Sequence, residues 1–216
     1  MPCNGSPGAP ADGHVIAVEE LEYKMTTGEI EKNVRELQHA IVVAKLNYEI
    51  WWVYKEKNSR KRFVDILNDY PLYFQTSLHA HFVAMIISLY RLYETRKDTM
   101  NLPQLVRLLR KHNTLSIQEI KSMESDIKSM RPLWQKVSIL RNNMFAHRSN
   151  KLDDDDVWKK ASVTPNQFKK LIDDSEGILN RITHVWARSS HAFNLSATHD
   201  AERLLEDLKR LKEKKL

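Results

Sequence analysis

Apolar residues recur along this chain at helical spacing. Ile30, Val34, Leu37, Ile41, Ala44, Tyr48 and Trp51 alternate in steps of four and three, a heptad seam over three heptads. Thr26 and Glu29 fit a capping box just before it. Together they predict one helix over residues 28–57, about 45 Å long. A helix of that length packs along a bundle or along a partner chain. Residues 55–62 read as a basic turn and residues 62–68 as a short helix. Pro71 then opens a helix to about Arg96, with Phe74, Leu78, Phe82, Met85, Ile86, Leu89 and Tyr93 on one broad apolar face.

The later pattern repeats this punctuation. Asn101 caps a helix that Pro103 opens and that ends near His112. Ser116 and Glu119 form a second capping box ahead of Ile117, Ile120, Ile127 and Met130. Pro132 interrupts, and Leu133, Val137, Leu140 and Met144 resume the stripe, which predicts a kink or restart there. Residues 151–156 form a polar loop. Thr164, Pro165 and Gln167 start a helix carrying Phe168, Leu171, Ile178, Ile182 and Val185. Residues 198–214 form a last amphipathic helix on Leu204, Leu205, Leu208 and Leu211, with Lys and Arg at its end. The expected fold is an all-α bundle with long antiparallel helices. Its divisions are a flexible N-terminal tail over residues 1–26, the main helical domain over 27–192, and a C-terminal amphipathic basic helix over 193–216.

Composition narrows the field further. The 216 residues include 5 Gly and 7 Pro, with three of each in the first 13 positions. A β-rich fold of this size needs more glycine for its turns. Gly8 and Gly13 are followed by His14 and Val15, not Lys-Ser/Thr, so a phosphate loop is excluded. Net charge is +6 and the sequence pI about 9.3, which favours polyanionic partners without choosing among them. The single Cys, Cys3, leaves no intrachain disulfide and no Cys-based zinc site. No signal peptide is evident, and the apolar stretch around residues 82–90 is short for a membrane span. A cytoplasmic protein with no membrane partner and no cofactor is expected.

Most constellations that invite a chemical reading are better explained by packing. His79 and His81 are two apart, so a helix points them about 200° from each other and they cannot share a metal. Asp153 to Asp156 lack the spacing of a calcium loop and read as a solvated loop or an acidic helix start. Tyr48, Trp51, Trp52 and Tyr54 have the spacing of core and interface aromatics. What remains is Arg and His. An Arg followed after a few residues by His suffices for RNA cleavage without a metal. The imidazole moves protons near neutral pH, and the guanidinium holds a phosphate as negative charge builds on it. The spacing occurs twice, at Arg107/His112 and Arg141/His147. Arg107 is followed by Leu108 inside a plain amphipathic helix. Arg141 opens Arg141-Asn142-Asn143-Met144-Phe145-Ala146-His147-Arg148, where polar groups gather at a helix end.

That second block resembles the signature of HEPN domains: Arg, a polar residue, four residues, then His. With Leu140 in front, it is similar to the abortive-infection branch of the superfamily, the AbiU-type phage-resistance proteins. The stretch from Ser88 to Glu94 and then Arg96-Lys97-Asp98-Thr99 also resembles that branch, with Glu94 where Asp is expected. The similarity covers roughly residues 28–190. It implies a dimerising HEPN-like helical bundle whose two Arg-His motifs face each other in one composite, metal-independent ribonuclease site. His147 is then the general acid/base, Arg141 the phosphate ligand and Asn142 an orienting group. Arg148 and Asn143 add phosphate contacts, and Glu94 and Arg91 support from behind, Glu94 through an ion pair with Arg141. RNA, a second copy of the chain, and an antitoxin or regulatory protein are the implied partners. The alternative implied is a non-catalytic dimer that binds RNA, nucleotide or a partner protein through the same cleft. On a regular helix Arg141 and His147 sit about 120° apart. One phosphate is therefore reached by both only if the helix ends first or a second chain contributes.

Overall fold

Proline and side-chain caps divide the chain into helices. The computed structural model describes the backbone of residues 12–146 and 154–214, and side chains over 27–145 and 155–214. Four of the helices carry proline in the first turn, where a missing N–H costs nothing. They are α3 (Pro71–Tyr93), α4 (Leu102–Lys111), α6 (Arg131–Leu140) and α8 (Pro165–Ala187). The remaining helices among the described residues are α1 (Asp12–Lys55), α2 (Lys57–Asp69), α5 (Ile117–Ser129), α7 (Asp154–Ala161) and α9 (Thr198–Glu213). A π-helical turn, Arg141–Ala146, extends α6. The all-α class is as the pattern predicts.

The caps are mostly those legible in the sequence. Asn101 accepts from the Gln104 N–H at 2.8 Å and donates to the Arg96 carbonyl at 2.9 Å, so a fully buried amide is satisfied on both sides. Ser116 and Glu119 form their reciprocal box. The start of α1 differs: the helix is already running at Asp12, so Thr26 and Glu29 lie inside it and residues 12–26 join it rather than forming a separate tail. Residues 1–11 of the expected tail lie outside the described residues. The basic turn at 55–62 shrinks to Glu56, whose carboxylate caps α2 by accepting from the Ser59 N–H at 2.8 Å. Asp154, Asp155 and Asp156 fall in the first turn of α7, where the helix dipole favours negative charge.

The α1 seam is the centre of the core. Ile30, Leu37, Ile41 and Ala44 are essentially inaccessible, and Val34, Tyr48 and Trp51 nearly so. They pack with Phe82, Met85, Ile86 and Leu89 of α3 and with Phe168, Leu171, Leu179 and Ile182 of α8. The long seam is therefore filled by the chain itself and is not free for a partner helix. α3 is long and apolar enough by length and composition to cross a membrane. Its residues Phe82, Met85, Ile86, Leu89, Leu92 and Tyr93 are buried in this core.

α9 is part of the fold. Ala201 and Leu205 close a second cluster with Val53, Tyr54, Phe63, Ile66 and Phe74. Ahead of α9, Glu49 on α1 accepts from the Ala197 N–H at 2.6 Å and the Ser196 hydroxyl at 2.9 Å. Asn180 clamps the same connection, donating to the His191 carbonyl and accepting from its N–H. These contacts leave Leu204 and Leu211 on the outer face, 44% and 56% exposed.

Gly177 lies inside α8, and a Cβ added there meets nothing within 4 Å. Gly177→Ala is expected to raise the unfolding free energy by about 0.5–1 kcal/mol in denaturant titration, by reducing the entropy lost on helix formation. His81 on α3 is half-buried, and burial holds its imidazole below the ordinary value of 6.5. Its Nδ1 lies 2.7 Å from Asn47 Oδ1. The unfolded chain binds this proton more readily, so its contribution to stability is complete above pH 6.5 and is lost as pH falls through the depressed folded value. NMR titration should find His81 titrating below 6.5; a raised value contradicts this.

Candidate functional site at the Arg141 turn

Pro132 restarts the chain as α6, which buries Val137 and Leu140 and delivers Arg141 to the surface of the core. There the backbone changes from α to π hydrogen bonding over Arg141–Ala146. The i→i+5 pattern widens the turn and redirects the side chains after it, and such turns occur frequently at functional sites. Asn143 ties the turn back to α6, donating to the Ile139 carbonyl at 2.7 Å.

Arg141 is positioned by an aromatic stack. Its guanidinium lies 4.7 Å from the centroid of the Tyr90 ring, in cation–π geometry. Tyr90 in turn stacks on Trp134, with ring centroids 5.7 Å apart and planes at 28°. Trp134 and Arg141 are seven residues apart, two turns, and so share a face of α6. Tyr90 from α3 meets both of them. The Trp134 indole N–H donates to the Tyr90 carbonyl at 3.0 Å, which fixes the register of the two helices. Arg141 also donates to Asn142 Oδ1 at 2.9 Å, and Asn142 donates to the Ser138 hydroxyl at 3.3 Å.

Arg141 is half-buried and meets no carboxylate within ion-pair distance among the described residues. The Glu94 ion pair expected from the sequence is not formed. Glu94 is buried at the C-cap of α3, one turn beyond Tyr90, and it is the Tyr90 ring that receives the guanidinium. Arg91 turns toward α1 and pairs with Glu36 at 3.2 Å. Of the expected site residues, the structure brings together Arg141, Asn142 and Asn143. His147 and Arg148 lie outside the described residues.

Met144 and Phe145 serve a different wall. Phe145 meets the edges of Phe82 and His79, with centroids 5.9 and 6.0 Å away. Met144 lines a cavity of about 520 Å³ with Trp51, His79, Phe82, Trp158 and Phe168. His79 and His81 do point apart, as their spacing requires: His79 faces Phe145, and His81 faces Asn47 and Tyr54. Tyr90, Trp134 and His79 are the residues that sequence reasoning left out of the site. Tyr90 lay inside the Ser88–Glu94 block, and the Trp134-to-Arg141 spacing was a readable signal.

An all-α bundle that presents Arg-Asn at the end of a proline-restarted helix has the features of the HEPN class. The chain belongs to the HEPN_AbiU2 family (AbiU2), whose family model matches residues 28–206. The match extends past the similarity seen in the motifs and takes in the first half of α9, in keeping with its packing against α1 and α2. No curated protein and no solved structure matches the chain. Membership marks it as a HEPN domain related to abortive infection.

The stack predicts measurable coupling. A double-mutant cycle of Tyr90→Leu and Arg141→Met, followed by denaturant unfolding, should give a coupling of about 0.5–2 kcal/mol. Tyr90→Phe, which keeps the ring, should retain most of it. Additive effects within error would show that the two residues do not interact.

Proposed function

We propose that this protein is a metal-independent endoribonuclease of the HEPN type, acting in phage defence or as a toxin, and that it works as a dimer. The observation that carries this reading is Arg141: a half-buried guanidinium, fixed by Tyr90 and Asn142, that meets no carboxylate within ion-pair distance among the described residues. An arginine so held has its charge available for a phosphate, and it stands six residues before His147 in a block that resembles the HEPN signature. The net charge of +6 suits an RNA substrate.

The chemistry follows from the residue types. The 2′-hydroxyl of RNA attacks the adjacent phosphorus. His147 of one copy takes the hydroxyl proton as the new O–P bond forms. Arg141 stabilises the charge that builds on the non-bridging oxygens. The P–O5′ bond breaks, and the leaving oxygen takes a proton from the imidazolium of the second copy. The products are a 2′,3′-cyclic phosphate and a free 5′-hydroxyl, so atoms and protons balance. Asn142 orients Arg141 directly, and Asn143 and Arg148 extend the contact along the backbone. Two copies of the turn across a dimer cleft overcome the angular separation of Arg141 and His147 on one helix.

The test is digestion of single-stranded RNA in excess EDTA. Wild-type protein should leave cyclic-phosphate ends. His147→Ala should reduce the rate by about 10²–10⁴-fold, the range for a lost general acid/base. Arg141→Ala should fall by about 10²–10³-fold, the loss seen on removing a transition-state donor. Salt-sensitive RNA binding with no turnover in wild type would instead identify a non-catalytic binding domain. Equal cleavage by wild type and His147→Ala would remove His147 from the mechanism.

A further inference from the structure

Trp134 also lines a second concave site. α4, α5 and α6 enclose a cavity of about 390 Å³ with the end of α3. This is within the range of small-ligand sites and suits one small ligand. Each helix contributes neighbours at three- and four-residue spacing: Val106, Arg107 and Arg110 from α4, Glu124, Ile127 and Lys128 from α5, and Arg131 and Trp134 from α6. The apolar part is Val106, Ile127 and the half-buried Trp134 indole, with Tyr93 behind them. The charged part is four cations and a single carboxylate.

The single carboxylate is already used. Glu124 accepts from Arg110 at 2.6 Å. Arg107 donates its Nε to the Pro103 carbonyl at 3.3 Å, which leaves its terminal nitrogens available. Lys128 and Arg131 are exposed and have no carboxylate within ion-pair distance among the described residues. An apolar slot beside the Trp134 indole, with Arg107, Lys128 and Arg131 at its rim and none of them paired with a carboxylate among the described residues, is matched to a flat ring bearing a negative group. Stacking on the indole and phosphate binding by Arg and Lys are the interactions that hold a nucleotide.

We propose that this cavity binds one nucleotide unit, with its base against Trp134 and its phosphate on Arg107, Lys128 and Arg131. The unit is either a free mononucleotide or one residue of a bound single strand. Trp134 is shared with the stack that positions Arg141, so an occupied cavity adjoins the Arg141 turn through one side chain. The site does not use Arg141 or His147, and its occupancy is independent of cleavage.

Isothermal titration calorimetry on the full chain separates the possibilities. The probes are AMP, GMP, adenosine and a single-stranded deoxyoctanucleotide, which lacks the 2′-hydroxyl and cannot be cleaved by the proposed reaction. Lys128 and Arg131 are both exposed, so the double variant Lys128→Ala/Arg131→Ala leaves the core intact. AMP or GMP should bind more tightly than adenosine, and the double variant should weaken that binding by about tenfold or more, as expected for lost charge-assisted bonds. Arg141→Ala should leave mononucleotide binding unchanged. If the source is a polynucleotide, the octanucleotide binds much more tightly than either mononucleotide and loses affinity in the double variant. Absence of binding by all four probes overturns the proposal. So does binding that is indifferent to the double variant, or abolished by Arg141→Ala. Loss of RNA cleavage by His147→Ala leaves these titrations untouched, so the two readings fail separately.

Discussion

The structure depends on burial of one heptad seam. Ile30, Leu37, Ile41 and Ala44 on α1 are covered by α3 on one side and α8 on another. Each fully buried aliphatic side chain contributes about 1.5–3 kcal/mol of transfer free energy. The sum over the seam sets the positions of α3 and α8. α3 is clamped with Leu89 in the core and Tyr90 at its margin. α8 supplies Phe168 to the aromatic group around Trp51 and Phe82.

The candidate site is a consequence of that clamp. With Tyr90 at the margin of α3, α6 docks through buried Val137 and Leu140, the indole bond and the ring stack, and Arg141 lies over the Tyr90 ring. A cation over an aromatic face is oriented without being neutralised, whereas a carboxylate partner would compete with a phosphate. The same stack ends in Trp134 at the cavity between α4, α5 and α6. One line of three side chains, Arg141, Tyr90 and Trp134, thus connects the Arg141 turn with this cavity.

Much of this was readable from residue order. The seam, the proline openers and the Ser116 and Asn101 caps follow from local rules, and local rules hold where a helix buries one stripe. The all-α class was legible for the same reason. The start of α1 was not, because a capping box inside a helix looks like one at its end. The partner of the α1 seam was not either, since periodicity shows that a face is buried but not by what. Replacement of Glu94 by Tyr90 as the group meeting Arg141 rests on helix register, which is set by the Trp134 bond to a distant carbonyl. The π-helical turn has no sequence signature of its own.

The central claim is that two copies of the Arg141 turn act on one phosphate. An experimental structure of the assembled protein tests it most directly. The account predicts a twofold dimer in which the two Arg141 guanidinium groups and the two His147 imidazoles line one cleft, all within reach of a single phosphate. A monomer, or a dimer whose turns open on opposite faces, would contradict it.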